Sequence, residues 1–376
     1  MPTPLPSTPK YVEVADKIEA KILQGTWDGG RMPSVRGVAG EHGVSVVTAS
    51  RALQVLRDKG LIRTVQRTGC FRVPPPEAER WAVCLRLTPG PWQRATIDVS
   101  RTGFEALARR QPMHLEFDAF ELTPGLTVAE AAQAAAAARA DGVQGVFLLP
   151  SRASDADARA EEAFLAGCRQ AGLPLILLER NIRGRGRLLP TDLAGLDDLV
   201  GAADCTRHLL SLGRKRIGMV IASPTTTHDD RVAGYLFALY EAHSARRKPT
   251  DLAEVVIRQP TELPTKEAYA AVADAVVRER LDGVVCYSDY TALGLVMELL
   301  HRGVRVPKDV AVTGFDNLPI GDLFAIGLTT YDYPAEQMAE QAVRLMRDRV
   351  KGATHPPVRV SVPGELIIRG STGATK

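Results

Sequence analysis

The sequence predicts an α/β protein in which a small helical head precedes a large body built on parallel sheets. Three observations carry this expectation. The run Pro74-Pro75-Pro76 interrupts the chain, because consecutive prolines continue neither a helix nor a central strand,. Downstream of it, short apolar runs alternate with amphipathic stretches at the spacing of strand–helix–strand units,. Upstream, the text is helical and basic. Residues 1–75 carry 11 Lys and Arg against 6 Asp and Glu, a surplus of five; the remaining 301 residues carry 36 against 38. The formal charge of +3 thus conceals a basic module suited to a polyanion,.

Composition excludes several classes. At 45% hydrophobic and 24% charged residues, the 376-residue chain can bury a proper core and is neither a disordered tail nor a disulfide-stapled miniprotein,. At about 150 residues per domain, two or three folded units are expected. The cysteines (Cys70, Cys84, Cys168, Cys205, Cys286) are odd in number and form no CxxC pair, which argues against a disulfide framework or a zinc site and for a reducing, cytoplasmic setting,. The first residues, MPTPLPSTPK, lack the apolar core of a secretory signal, and no run approaches the roughly 18–20 apolar residues that cross a bilayer,. No membrane is expected.

In the head, Val14, Ile18, Ile22 and Leu23 mark one face of a first helix, which Gly25 ends. Ser34 is placed to cap a second helix that stops near His42-Gly43, where glycine supplies the left-handed turn,. Ser45 caps a longer third helix, Val46–Lys59, whose Ala52, Leu53, Val55 and Leu56 include its packed face. Two helices joined by a tight glycine turn describe a helix-turn-helix. Residues 61–65 and 70–73 then read as a hairpin with Arg67-Thr68-Gly69 at its tip, a wing.

The stretch RMPSVRGVAGEHGVSVVTASRALQVLRDKGLIRTVQRTGCFRV resembles the winged helix-turn-helix of the GntR regulator family over residues 10–73. The resemblance implies a third helix that enters the major groove and a wing near the minor groove. On matching positions it assigns Ser34 and Arg36 to phosphate or base contacts, Ser45, Thr48, Ser50 and Arg51 to the recognition helix, and Arg67 and Gly69 to the wing tip. Hydroxyls and amides fix register on phosphates, and arginine pairs bidentately with guanine. The chain departs from the pattern at Val46, where many members carry arginine, and at Thr68, where glycine is usual. Base preference is therefore not carried over. A winged helix used only for protein contacts is the alternative.

The body reads as strands at Trp81–Leu87, Met113–Phe120, Val143–Pro150, Pro174–Glu179, Arg216–Ala222, Glu254–Arg258, Gly283–Tyr287 and Val310–Phe315. Between them lie helices at Val128–Arg139, Asp155–Ala171, Leu196–Leu212, Arg231–His243, Lys266–Arg280 and Thr291–Arg302; the alanine-rich 131–138 is helix because alanine is the best helix former,. Catalysis finds no foothold: there is no GxxxxGK[ST] loop, no GxGxxG after a strand, no HExxH and no GxSxG elbow,. Gly184-Arg-Gly186-Arg reads as a solvated turn, and His228-Asp229-Asp230 as neighbours that diverge rather than a triad or metal site. No catalytic residue, metal ligand or cofactor is expected.

Three segments resemble the effector domain of the lactose-repressor (LacI) family, itself similar to periplasmic sugar-binding proteins: CYSDYTALGLVMELLHRGVRVPKDVAVTGFDN, LTTYDYPAEQMAEQAVRLM and VPGELIIRGST. CTRHLLSLGRKRIGMV at Cys205–Val220 and RVAGYLFAL at Arg231–Leu239 extend the resemblance, which covers Trp81 to Thr372. It implies two similar α/β subdomains, crossed three times by the chain, with a ligand in the cleft between them. On matching positions Asp316 accepts ligand hydroxyls and Arg231 points into the cleft. Ser288 and Asp289 stand where Asn-Asp is usual, Asp192 is a strand-end acid, and Tyr287 and Asn317 are weaker candidates. Trp92, Phe120 and Tyr333 are aromatics able to stack on a sugar face. Each has a plainer use: Asp289 as a helix cap, Trp92 as loop packing, Arg231 and Asp316 as a mutual pair.

The sequence therefore predicts a winged-helix DNA-binding domain (1–73), a Pro-rich linker (74–80) and a LacI-type effector domain (81–376), a hybrid layout that resembles arabinose-repressor types. The expected activity is transcription regulation, as a repressor controlled by a small molecule of the carbohydrate class. The expected partners are a double-stranded DNA operator, that effector and a second copy of the chain. The alternatives are a regulator whose body is a ligand-free or protein-responsive scaffold, and a DNA-binding head fused to a sugar-modifying enzyme.

Overall fold

The computed structural model describes residues 9–23, 32–59, 61–65, 69–72, 79–86, 91–117, 119–222, 225–244, 255–263, 265–323 and 325–373. The chain divides into two compact units, Met1–Glu79 and Arg80–Lys376.

In the first unit, α1 (Lys10–Leu23), α2 (Val35–Glu41) and α3 (Val46–Asp58) precede an antiparallel pair, β1 (Ile62–Val65) and β2 (Gly69–Arg72), in the register Ile62↔Arg72. Ser34 caps α2 by accepting from the Gly37 amide at 3.2 Å. Ser45 caps α3 by accepting from the Thr48 amide at 3.1 Å. Between the two helices Gly43 sits at φ +60°, where a side chain would be strained,. Val14, Ile18, Ile22, Val38, Ala49, Ala52, Leu53, Leu56 and Ile62 close one apolar cluster, and Val55 packs at its edge. The expected helix-turn-helix with its two-stranded ribbon is present. Gly25, Arg67, Thr68 and most of the proline linker lie outside the described residues.

The second unit holds β3 (Glu79–Leu85), α4 (Pro91–Arg110), β4 (Met113–Phe117), α5 (Val128–Ala140), β5 (Gly145–Leu149), α6 (Asp155–Gln170), β6 (Leu175–Leu178) and β7 (Leu193–Leu196). There follow α7 (Asp198–Ser211), β8 (Ile217–Ile221), α8 (Thr226–Ser244), β9 (Val255–Arg258), α9 (Thr265–Arg278), β10 (Gly283–Cys286), α10 (Asp289–His301), β11 (Ala311–Phe315), α11 (Pro319–Leu323) and β12 (Thr329–Tyr331). The chain closes with α12 (Ala335–Val350), β13 (Arg359–Val362) and β14 (Leu366–Ile367).

The strands form two six-stranded sheets, in the orders β13-β7-β6-β5-β3-β4 and β14-β12-β11-β10-β8-β9. The central strands pair in parallel and are buried along their whole length, as a sheet covered by helices on both faces requires,. Successive residues alternate between the two covering clusters: Ala82, Val146 and Leu148 face one side of the first sheet, and Val83, Phe147 and Leu149 the other,. The chain passes between the sheets three times, after β7, after β12 and after β13, as the resemblance implied. Reading the sequence missed α4, the short strands β7, β12, β13 and β14, and α12 as an element of the first sheet's cover. Among the described residues no helix is long and apolar enough to cross a membrane.

Candidate functional site

Two surfaces concentrate functional chemistry. On the first unit, the α2–α3 corner presents Ser34, Arg36, Ser45, Ser50 and Arg51 to solvent, with Thr48 half-buried behind them. Ser45 Oγ lies 2.8 Å from Thr48 Oγ1, so the two hydroxyls form one rigid polar corner at the start of α3. The Arg51 guanidinium stacks over the Tyr11 ring at 5.0 Å, which orders a side chain that would otherwise sweep freely,. Val46 and Val47, 50% and 75% exposed, stand at the open end of α3. Gly69 opens β2.

The second site is a cavity of about 290 Å³ in the second unit, enclosed by residues that follow the carboxyl ends of strands in both sheets. The first sheet contributes Arg86 after β3, Arg152 after β5, and Glu179 and Arg180 after β6. From the second come Gln259 after β9, Tyr287 and Ser288 after β10, Asp316 after β11 and Tyr333 after β12. Helix α8 adds His228 and Arg231. Strand carboxyl ends facing a crevice are where such sheets bind ligands.

Each wall is pre-set. Helix α8 lies close on α7 because Gly234 has no Cβ to strike the Leu199 carbonyl. That approach brings Arg231 Nε to 2.7 Å from Asp198 Oδ1, while a terminal amino group donates to the Tyr287 carbonyl and the guanidinium stacks over Phe315 at 4.0 Å. Burial alone would lower the Arg231 pKa, but Asp198 and Asp316 outweigh it and hold the cation. Asp316 and Glu179 both sit at positive φ, +99° and +60°, a conformation rare outside glycine and found where function fixes a side chain,. The Asp316 amide is anchored to the Tyr331 carbonyl at 2.9 Å, yet its carboxylate makes no hydrogen bond among the described residues. Burial pushes that carboxyl up to about 6, against the pull of Arg231 and Arg152. Glu179 accepts from the Tyr333 hydroxyl at 2.6 Å, Ser100 at 3.0 Å and Arg180 at 3.2 Å. Tyr287 stands edge-on to His228, their ring centres 4.9 Å apart.

Of the sequence-selected residues, the cavity gathers Asp316, Arg231, Ser288, Tyr287 and Tyr333. Two assignments are corrected. Asp192 precedes β7 rather than following a strand, at the opposite end of the sheet from the cavity; it takes Arg349 through two 2.7 Å bonds and the Val358 amide at 2.9 Å. Asp289 lies beneath the cavity wall, where it accepts from Thr330 Oγ1 at 2.6 Å and the Leu318 amide at 2.7 Å and so ties the start of α10 to β12 and to the loop after β11. Nor does it cap α10: Ser288 does, accepting from the Thr291 amide. The alternative use of Arg231 and Asp316 as a mutual pair is not taken up as a hydrogen bond among the described residues; Arg231 donates to Asp198 instead. Phe120 packs on Phe164 at 4.9 Å instead of lining the cavity, and Asn317 is held by Asp332 and Arg369. Trp92 falls in the first turn of α4, and its side chain lies outside the described residues.

Sequence reasoning missed Arg86, Arg152, Glu179, Arg180, His228 and Gln259. The available sign was a charge directly after an apolar run, as in Leu178-Glu179-Arg180.

Comparison with known proteins matches residues 10–71 to the bacterial regulatory proteins of the gntR family and residues 206–372 to the periplasmic binding protein-like domain. The HTH-type transcriptional regulator reg1 of Streptomyces lividans is 30% identical over 62% of this chain and 65% of its own, so the chain spans just under two thirds of that relative's length. The arabinose metabolism transcriptional repressor of Halalkalibacterium halodurans is 24% identical over 98% of this chain and 97% of its own. Among solved structures, a transcriptional regulator CelR–cellobiose complex superposes with a TM-score of 0.58 at 20% identity, covering 90% of this chain and all of that one. The chain thus joins a gntR-family helix-turn-helix segment, residues 10–71, to a segment matching the periplasmic binding protein-like domain, residues 206–372.

Proposed function

We propose that this protein is a DNA-binding transcription regulator, acting as a repressor, whose affinity for an operator is set by a sugar-class molecule bound in the cavity. One observation carries the reading: in a chain that also bears a gntR-type head, a cavity is lined both by an Asp316 carboxylate that makes no hydrogen bond among the described residues and by an Arg231 already held in place. A carboxylate and a guanidinium lining one cavity can accept from and donate to hydroxyls of a polyol. At about 290 Å³ the cavity lies near the small end of the usual range of about 300–1,000 Å³, which suits a molecule of monosaccharide size,. These groups serve binding rather than turnover, so the body is a sensor and not an enzyme.

On the head, Ser34, Arg36, Ser45, Thr48, Ser50 and Arg51 meet the operator, the hydroxyls on phosphates and the arginines on phosphate or base edges. Arg67 and Gly69 approach from the wing. The acting unit is a homodimer, since two heads read half-sites about one helical turn, or a multiple, apart. A ligand that prefers one arrangement of the two sheets shifts the population of that arrangement, and the dimer converts the shift into altered head spacing.

The test is a pair of measurements. Footprinting on the DNA upstream of the protein's own gene should protect an inverted repeat, and protection lacking any repeat refutes the dimeric reading. A sugar panel should contain a compound that raises the melting temperature by mass action and changes the footprint. Silence across the panel in both assays refutes the effector reading.

A further inference from the structure

The first-sheet wall of the cavity holds more cation than it can neutralise. Arg86 is spent within the fold: it donates to the Leu122 carbonyl and to Asp157 at 2.8 Å, and its Nε lies 3.4 Å from Glu161. Arg152 and Arg180 are different. Both turn toward one oxygen, Glu179 Oε2, at 3.8 and 3.2 Å. The other oxygen of that carboxylate is already taken by Tyr333 and Ser100. Arg180 anchors its Nε on the Pro150 carbonyl at 2.8 Å, and its second amino group makes no hydrogen bond among the described residues. The Arg152 guanidinium makes none at all, and its Nε is buried without a partner. Two guanidiniums therefore share one carboxylate and hold several unspent donors at the cavity wall. Burial, and after it the neighbouring Arg152 cation, push the Arg180 pKa down to about 10.

The opposite wall offers no relief that a polyol would not also claim. Asp316 is the remaining carboxylate on the cavity surface, and under the proposed function it accepts ligand hydroxyls. A neutral sugar there would leave the donors of Arg152 and Arg180 unmet in a low-dielectric pocket, a costly arrangement. A planar carboxylate or a phosphate matches a guanidinium fork through paired N–H···O bonds.

We propose that the effector is an acidic sugar, with its hydroxyls on Asp316 and Arg231 and its anionic group on Arg152 and Arg180. The proposal rests on the effector reading above and names the ligand class for that same cavity. The anion is a carboxylate, as in a uronic or aldonic acid, or a phosphate ester; both present oxygens to the same fork.

Calorimetry on the full chain with galactose, galacturonate, glucose, gluconate, glucose 6-phosphate and inorganic phosphate tests it. At least one acidic sugar should bind about tenfold or more tightly than its neutral parent, and its affinity should weaken as salt is raised. The carboxylate and phosphate arms identify which anion the fork takes. Arg152→Gln should remove the preference while leaving the ligand-free melting temperature within a degree or so, because the Arg152 side chain makes no hydrogen bond among the described residues and only a long 3.8 Å ion pair with Glu179, which Arg180 also holds. Arg152→Lys should restore part of it. A neutral sugar that binds as tightly as its acid, unaffected by salt and by Arg152→Gln, overturns the anion assignment and leaves the effector reading standing. Binding of inorganic phosphate but of no sugar overturns the acidic-sugar assignment. No binding by any compound overturns both.

Discussion

In the head, Ser34, Arg36, Ser45, Ser50 and Arg51 all face outward; in the body, Glu179, Arg180, Arg231 and Ser288 are buried around a cavity. The head suits a large, solvated polyanion, so its polar groups need only a stiff helix corner, supplied by two serine caps and a Tyr11–Arg51 stack. The body suits a small molecule that must be stripped of water, so each polar group needs an internal partner or a reason to lack one. Most have partners: Arg231 has Asp198, and Arg86 has Asp157. The side chains of Asp316 and Arg152 make no hydrogen bond among the described residues, although Arg152 lies 3.8 Å from Glu179. Recognition chemistry is thus legible on the head as exposure and in the body as unmet hydrogen bonding.

The sharpest test of this contrast is within the body, between the buried Asp192 and the half-buried Asp316. Asp192→Ala removes a carboxylate with three hydrogen bonds and leaves Arg349 to its remaining acceptors, the Ala353 and His355 carbonyls among them; it should cost about 3 kcal/mol, lowering the melting temperature by roughly 5–10 °C,. Asp316→Ala should do the reverse: about 100-fold weaker ligand binding, with the ligand-free chain unchanged or more stable by about 1–2 kcal/mol. Equal destabilisation by both in a thermal melt would erase the distinction between structural and ligand-facing acids.

The same residue gives a pH signature. The folded Asp316 carboxyl is raised from 3.8 to about 6 by burial, so the folded chain binds a proton more tightly than the unfolded one. Its contribution therefore makes the ligand-free chain lose stability as pH rises from about 4 to 6, with no further loss above. Subtracting the melts of Asp316→Asn from those of the wild type should isolate this slope. Glu161, raised by burial to about 7, contributes a second slope that remains in the variant. A flat difference would show that the carboxyl is solvated.

On the head the effects are smaller. Arg51→Ala should weaken operator binding by about 1–3 kcal/mol and reduce its salt dependence, with ligand binding unaltered in calorimetry. Ser45→Ala should cost about 1 kcal/mol of α3 stability through loss of the cap,. Val47→Ala, 75% exposed beside the cap, should leave stability unchanged and alter operator preference only at a position where a thymine methyl meets the side chain,.

What the sequence disclosed divides along the same line. The α2–α3 corner was readable because its determinants are local: Ser34, Gly43 and Ser45 act on residues within three or four positions. In the body, Arg231 and Asp316 were readable through motifs, but the placement of an acid relative to its strand was not. Asp192 was misread because an acid before a strand and one after it look alike until the register is known; the four-residue β7 begins just beyond it. The same topology hid Arg152, Glu179 and Arg180, which no short motif unites. They meet because β5 and β6 are parallel neighbours ending at one edge. Short β13 and β14 escaped because their partners lie far back in the chain.

The central claim, that the cavity governs the head, is tested most directly by fluorescence anisotropy of a labelled fragment from the gene's own upstream region. The full chain is titrated at fixed salt, with and without the panel compound that most raises its melting temperature. The account predicts that the compound shifts operator affinity about tenfold or more, and that Asp316→Ala abolishes the shift while keeping the ligand-free affinity. A compound that binds the cavity and leaves operator affinity unchanged would contradict it.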